Sequence, residues 1–324
     1  MARQRRGRDV HGILLLDKPA GISSNRALQI VKRIFQAKKA GHTGSLDPFA
    51  TGLLPICFGE ATKVSTFLLD ADKSYRAVAK LGITTTTADS EGEIKGSQPI
   101  PELNSASIEA VLSEFLGAQT QIPPMYSALK RDGKKLYELA REGIEVERPP
   151  RNLHIHQLKL ISWELPELIF TVRSSKGTYI RVLAEDIAIA LGSCAHLTGL
   201  RRTQAGDFTV EHAISIEQLE LLLADGESQL QLDSLLLPVD AALQSFPRLD
   251  LSPQQAIEIH HGRPLDILDL KVSNVTNAGL WRIYTVDKEG RSYLMGMAKI
   301  EEQKLKSVRL FPGLATPVQA GVQA

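Results

Sequence analysis

The sequence predicts a mixed α/β domain followed by a small β-rich one, on three observations. Runs that read as strands, at residues 13–16, 73–81 and 168–174, are separated by segments whose apolar residues recur at helical three- and four-residue steps. Beyond Pro247 the texture changes to strand-like runs at 280–286, 293–300 and 306–310. At 324 residues the chain is long enough for one large core and one small one.

Taken in order, residues 1–10 form a basic arm, and 13–16 a short buried strand running into a turn at Asp17-Lys18-Pro19-Ala20-Gly21. Ser23 and Ser24 offer caps for a helix whose Leu28, Val31 and Phe35 share one face, ending near Ala37. Its polar side carries Lys32 and Arg33. Residues 60–69 read as a helix and 73–81 as a strand, with Tyr75, Ala77, Ala79 and Leu81 on one face. Residues 84–92 make a polar reversal into another strand. Asn104 or Ser105 then caps a helix with Ile108, Val111, Leu112 and Phe115 together, stopped by Gly117. Residues 118–151 are an excursion whose first half is basic (Lys130, Arg131, Lys134, Lys135), with Glu138, Glu142, Glu145 and Glu147 offsetting that charge later. The strand at 168–174 leads to a helix lined by Ile180, Leu183, Ile187 and Leu191 and ended by Gly192. A short helix at 215–224 precedes the end of the large domain, 11–245. In the small domain, 246–314, a helix at 252–261 stops at Gly262, and 315–324 read as a disordered tail.

Composition describes an ordinary globular protein, 43% hydrophobic and 23% charged. Net charge is only +1, so nucleic-acid binding would have to come from local clusters. Cys57 and Cys194 form neither a disulfide framework nor a paired metal spacing, which fits a reducing compartment. The apolar run after the arm is too short for a signal peptide or a membrane span, so the expected location is cytoplasmic. His154 and His156 would share a strand face, a spacing able to hold a metal, yet no carboxylate or cysteine stands near in sequence. No metal site is expected.

The chemistry concentrates in Gly41-His-Thr-Gly-Ser-Leu-Asp-Pro-Phe-Ala-Thr-Gly-Leu-Leu-Pro55. Three glycines and two prolines in fifteen residues argue against a regular helix or central strand and for a shaped loop. It bears one carboxylate, one imidazole and three hydroxyls, and no lysine, arginine or glutamate. Pro48 biases Asp47 towards an extended backbone, so that its carboxylate projects; the plainer alternative is that Asp47 caps a helix starting at Pro48.

This stretch closely resembles the active-site loop of the TruB family, the bacterial synthases that convert uridine 55 of the tRNA TΨC loop to pseudouridine. Three further stretches match: Ser74-Tyr75-Arg76 after Leu-Leu-Asp-Ala-Asp-Lys, Ser175-Lys-Gly-Thr-Tyr-Ile-Arg181, and more weakly His196-Leu-Thr-Gly-Leu-Arg-Arg202. Lys18-Pro19-x-Gly21 also matches, with mainly structural weight. The resemblance covers about residues 10–240 and implies a mainly antiparallel central sheet flanked by helices. It implies that Asp47 is catalytic, that Arg181 pairs with it and keeps it ionised by lowering its pKa, and that Tyr75 stacks on the target base. Tyr179 and Leu200 would border the uracil, and 118–151 would be the insertion that grips RNA. The small domain resembles a PUA-like RNA-binding module.

The implied reaction breaks the uracil N1–ribose C1′ bond and rejoins the base through C5. It needs no cofactor. Asp47 could attack C1′, add to C6 or abstract the 2′ proton, and Tyr75 could help remove the C5 proton. A base inside a folded tRNA elbow must be flipped out, which gives His42 the task of propping the vacated space. The partner is the tRNA T-arm, held at its backbone by Lys32, Arg33, Lys130, Arg131, Lys134 and Lys135, with the enzyme a monomer and no obligate protein partner. Two rival readings are an aspartyl-phosphate enzyme, for which Asp70 and Asp72 would have to help hold Mg²⁺, and a non-catalytic tRNA-binding or folding protein on the same scaffold.

Overall fold

The computed structural model describes residues 7–224, 226, 228–270, 279–287 and 289–314. The first six residues of the basic arm and the tail at 315–324 lie outside the described residues.

The large domain begins with β1 (Gly12–Lys18), α1 (Ser24–Ile34), β2 (Ala40–His42) and β3 (Thr51–Phe58), then α2 (Ser65–Asp70) and β4 (Lys73–Leu81). A hairpin, β5 (Ile83–Thr85) and β6 (Ile94–Ser97), precedes α3 (Ser105–Glu114) and β7 (Gly117–Gln121). The excursion folds as a small hairpin, β8 (Lys130–Arg131) and β9 (Lys134–Lys135), followed by α4 (Leu136–Arg141). Then come β10 (Arg151–Glu164), β11 (Glu167–Ser174), α5 (Ile180–Ala190), β12 (Ala195–Ala205), β13 (Phe208–Thr209), β14 (Ile214–Ser215), α6 (Ile216–Ala224) and α7 (Gln229–Asp233).

Local chemistry explains the boundaries. The Ser23 hydroxyl accepts from the Arg26 N–H at 3.1 Å and starts α1. Asn104 and Ser107 form a reciprocal capping box on α3. The helix expected at 60–69 divides at Val64 into a 3₁₀ turn and α2.

Ten strands form one sheet in the order β14-β1-β3-β12-β4-β11-β10-β7, with β2 beside β3 and β13 beside β12. Pairing is antiparallel except for β1–β14 and β3–β12. Apolar faces of α1, α3 and α5 pack on this sheet through Leu28, Val31, Ile108, Leu112, Leu183 and Ile187. The small domain has a second sheet, ordered β15 (Arg248–Asp250), β17 (Leu280–Val286), β18 (Ser292–Glu301), β19 (Lys304–Leu310) and β16 (Leu265–Asp266), with α8 (Pro253–His260) between β15 and β16 in sequence. One apolar cluster joins the domains, bringing Ile13, Leu53 and Phe208 together with Tyr284, Leu294, Met297 and Phe311. Among the described residues no helix is long and apolar enough to cross a membrane.

One expectation is overturned. The stretch 41–55 is not all loop, because Thr51–Phe58 is a central strand despite Gly52 and Pro55. Pro55 escapes the usual penalty because β12 pairs with β3 only at Thr51 and Gly52, while β2 pairs only from Ile56. Its missing donor falls between the two partners, and its carbonyl still accepts from Thr43 at 3.1 Å. Gly52 has φ +100°, and a Cβ there would stand 2.3 Å from the Arg202 carbonyl oxygen. Gly52→Ala is therefore expected to cost roughly 2–4 kcal/mol, from strain and from forced separation of β3 and β12. Urea unfolding of the two proteins measures it, and a change below 1 kcal/mol would refute the close approach.

Candidate active site

Residues 43–50 form the remaining loop, fastened to its surroundings at several points. The Ser24 hydroxyl takes both polar groups of Leu46, accepting from N–H at 2.8 Å and donating to its carbonyl at 3.0 Å. Lys18, fully buried, donates from Nζ to the carbonyls of Pro19 and Ile22, each at 2.7 Å, and of Pro48 at 3.2 Å. Gly21 N–H donates to the same Pro48 carbonyl. Burial pushes the Lys18 ammonium down to about 8, against the opposing pull of Asp47 and Glu91. No helix starts at Pro48; the Ala50 N–H closes a turn onto the Asp47 carbonyl instead.

Asp47 stands at the tip with its side chain 41% exposed, and its Oδ2 lies 3.0 Å from Nε of Arg181. Arg181, in the first turn of α5, is buried, and its other nitrogens are occupied. Nη1 donates to the Thr87 carbonyl at 2.6 Å and Nη2 to the Tyr126 carbonyl at 2.8 Å. The buried carboxylate of Asp89 lies 3.6 Å from Nη1, and it accepts from the Thr87 hydroxyl and the Glu91 N–H. One guanidinium thus serves two carboxylates and ties the loop to the β5–β6 hairpin and to Tyr126 in the excursion at 118–151.

Arg181 pulls the Asp47 pKa down, as the sequence leads one to expect, but burial outweighs it. Desolvation raises the Asp47 pKa, Arg181 opposes it, and the neighbouring Asp89 adds to the rise. The arginine limits the increase without reversing it.

Tyr75 lies half-buried on β4, paired across the sheet with Arg202 of β12, which is in turn paired with Gly52 at the root of the loop. Leu200, two residues along β12 and opposite Ala77, shares that face. Tyr179 precedes α5, its backbone N–H and carbonyl both held by the Gln121 side chain at 3.0 and 3.3 Å. Burial raises its phenol pKa. His42 closes β2; its Nδ1 is buried without a partner among the described residues, and burial, aided by the charge of Arg202, lowers its pKa.

The basic residues are placed elsewhere. Lys32 and Arg33 occupy the last turn of α1, eight and nine residues past the loop-binding Ser24 and so about 12 Å along the helix. Lys130, Arg131, Lys134 and Lys135 form the β8–β9 hairpin and lie largely in solvent. Asp70 and Asp72 pair with Lys176 and with Arg173 and His156, and take no part in the Asp47 cluster. The His154 and His156 rings lie 4.7 Å apart and tilted by 43°, and Asp72 supplies the carboxylate not foreseen near them. Among the described residues no group of three or more such side chains is arranged to hold a metal.

Sequence reading missed Asp89, Gln121 and Arg202, and underrated Lys18. The polar character of all four reads as surface in the sequence, and only the fold buries them.

Two family models match the large domain, meeting at the start of α5. Residues 32–180 match the family described as TruB family pseudouridylate synthase (N terminal domain), and residues 181–244 match the tRNA pseudouridylate synthase B C-terminal domain. The chain is 53% identical over 270 residues to tRNA pseudouridine synthase B of Nitrosococcus oceani, covering 82% of this chain and 87% of that one. It is 49% identical over 304 residues to the protein of the same name in Burkholderia mallei, covering 94% and 97%. Among solved structures, a chain of a Cbf5-Nop10-Gar1 complex superposes with a TM-score of 0.70 at 26% identity, covering 95% of this chain and 85% of that one.

Proposed function

The chain belongs to the TruB family and isomerises uridine in tRNA to pseudouridine; from that premise we propose that its target is uridine 55 of the TΨC loop and that Asp47 does the chemistry. The observation that carries the second part is the Asp47–Arg181 pair. A carboxylate exposed enough to meet a substrate stands on a rigidly fastened loop, held by an arginine with no freedom to leave.

The base enters flipped out of the T-loop, between Tyr75, Leu200 and Tyr179. Stacking on Tyr75 contributes roughly 1–3 kcal/mol. Attack at C1′, addition at C6 and abstraction of the 2′ proton all need Asp47 ionised, and Arg181 favours that form. After the N1–C1′ bond breaks, the uracil turns in the pocket, C5 bonds to C1′, and the C5 proton leaves with help from Tyr75. His42, partly buried, props the vacated position. The β8–β9 hairpin and the α1 cations hold phosphates of the T-arm. The small domain binds RNA as a PUA-like module, with Lys304, Lys306 and Arg309 of β19 exposed. The enzyme works as a cytoplasmic monomer.

Tritium release from tRNA transcripts labelled at uridine C5 tests the assignment. One equivalent per tRNA is expected from the native sequence and none above background when position 55 is cytidine. Undiminished release from the position-55 variant would refute the target.

A further inference from the structure

Arg202 is the most deeply buried arginine among the described residues, 1% exposed, yet its partners there are two backbone carbonyls and no carboxylate. Nε donates to the Leu53 carbonyl at 2.7 Å and Nη2 to the Gly44 carbonyl at 3.1 Å. Those carbonyls stand on either side of the loop tip, nine residues apart, with Asp47 between them. The loop backbone also approaches closely, for a Cβ on Gly44 would lie 3.6 Å from Nη1. On the neighbouring position Arg201 turns to the opposite sheet face, where it makes a two-point pair with Asp17 at 3.0 and 2.6 Å.

We propose that Arg202 is a positioning residue for the isomerisation, a brace across both ends of the Asp47 loop that fixes its height above the Tyr75 face. Three features support this. Arg202 is the residue paired with Tyr75 on one side and Gly52 on the other, so the brace and the stacking residue share one row of the sheet. A planar guanidinium can meet two carbonyls from one edge, which an ammonium on a flexible stem cannot do with the same geometry. Removing it would take the donor from one buried and one partly buried carbonyl while Ser24 and Lys18 still held the middle of the loop, so the tip would tilt and not detach. Arg202 acts through Asp47 and touches no substrate.

The inference rests on Asp47 being the catalytic carboxylate, and the test separates the two. Single-turnover pseudouridine formation with saturating enzyme, and tRNA affinity by filter binding, are measured for Arg202→Met, Arg202→Lys, Asp17→Asn and Asp47→Asn. Arg202→Met is expected to slow turnover at least tenfold with affinity unchanged within twofold, and Arg202→Lys to recover part of the rate. The His42 imidazole, followed by proton NMR, should titrate at higher pH in Arg202→Met, because a neighbouring positive charge is gone. Asp17→Asn, which loosens the strands on the other face, should keep the native single-turnover rate.

A native rate in Arg202→Met, or a loss confined to tRNA affinity, overturns the proposal, as does an equal rate loss in Asp17→Asn. Should Arg202→Met not fold, Arg202→Lys decides: a rate within twofold of native overturns the brace, and any greater loss with native affinity supports it. Activity retained in Asp47→Asn would instead overturn the premise.

Discussion

Asp47→Asn is expected to abolish pseudouridine formation, by about 10⁴-fold or more, while tRNA binding stays near native. The substitution is close to isosteric, and the loop is held at Gly44, Leu46, Pro48 and Leu53 by contacts that do not involve the carboxylate. The amide still accepts from Arg181 Nε through its oxygen. What disappears is the negative charge needed for attack or proton abstraction. Single-turnover assays with labelled tRNA, alongside filter binding, would show both halves; a loss of less than a hundredfold would remove Asp47 from the chemical step.

Replacement of Arg181 should have the second largest effect, in two distinguishable forms. Arg181→Lys keeps a cation but cannot reach Asp47, Thr87 and Tyr126 at once, and a rate loss of roughly 10²–10³-fold is expected with the fold intact. Arg181→Met leaves the buried Asp89 and the partly desolvated Asp47 without their counter-charge, costing about 3–5 kcal/mol of stability. The pH dependence has a definite sign. Burial already places the Asp47 pKa above the ordinary carboxylate value, so activity falls as pH drops through that raised value. Without the arginine nothing comparable opposes desolvation, and the acid limb of turnover moves to higher pH. Rate–pH profiles of the residual activity check this, and an unmoved or lowered limb would contradict it.

How much of this was legible in the sequence depended on whether the signal was periodic or spatial. The stripes of α1 and α5 and the alternation of β4 carry their own burial pattern, so their existence and faces could be read directly. Thr51–Phe58 could not, because glycine and proline are strand-breakers on average. Here one permits a close approach and the other pairs with β1 alone, in the gap between β12 and β2 on its second edge. The residues that meet at the site could be named from family resemblance, and the Arg181–Asp47 contact could be anticipated, but the balance between burial and charge on Asp47 is a property of three dimensions. Arg202 lies inside a matched stretch, yet nothing in that stretch marks it apart from its neighbour Arg201. A cation whose partners are backbone carbonyls leaves no complementary residue type to search for.

The apolar cluster that joins the two sheets carries a consequence for how the molecule melts. Tyr284, Leu294, Met297 and Phe311 cover side chains of β1 and β3, the same strands that anchor the Asp47 loop, and the Tyr284 hydroxyl donates to Asp240 at 2.6 Å across the junction. The C-terminal unit is therefore a cooperative partner of the catalytic sheet and not a bead on a string. Cutting it away would open an oily wound against the catalytic floor, so any activity lost on truncation reports cohesion of that floor as well as grip on RNA.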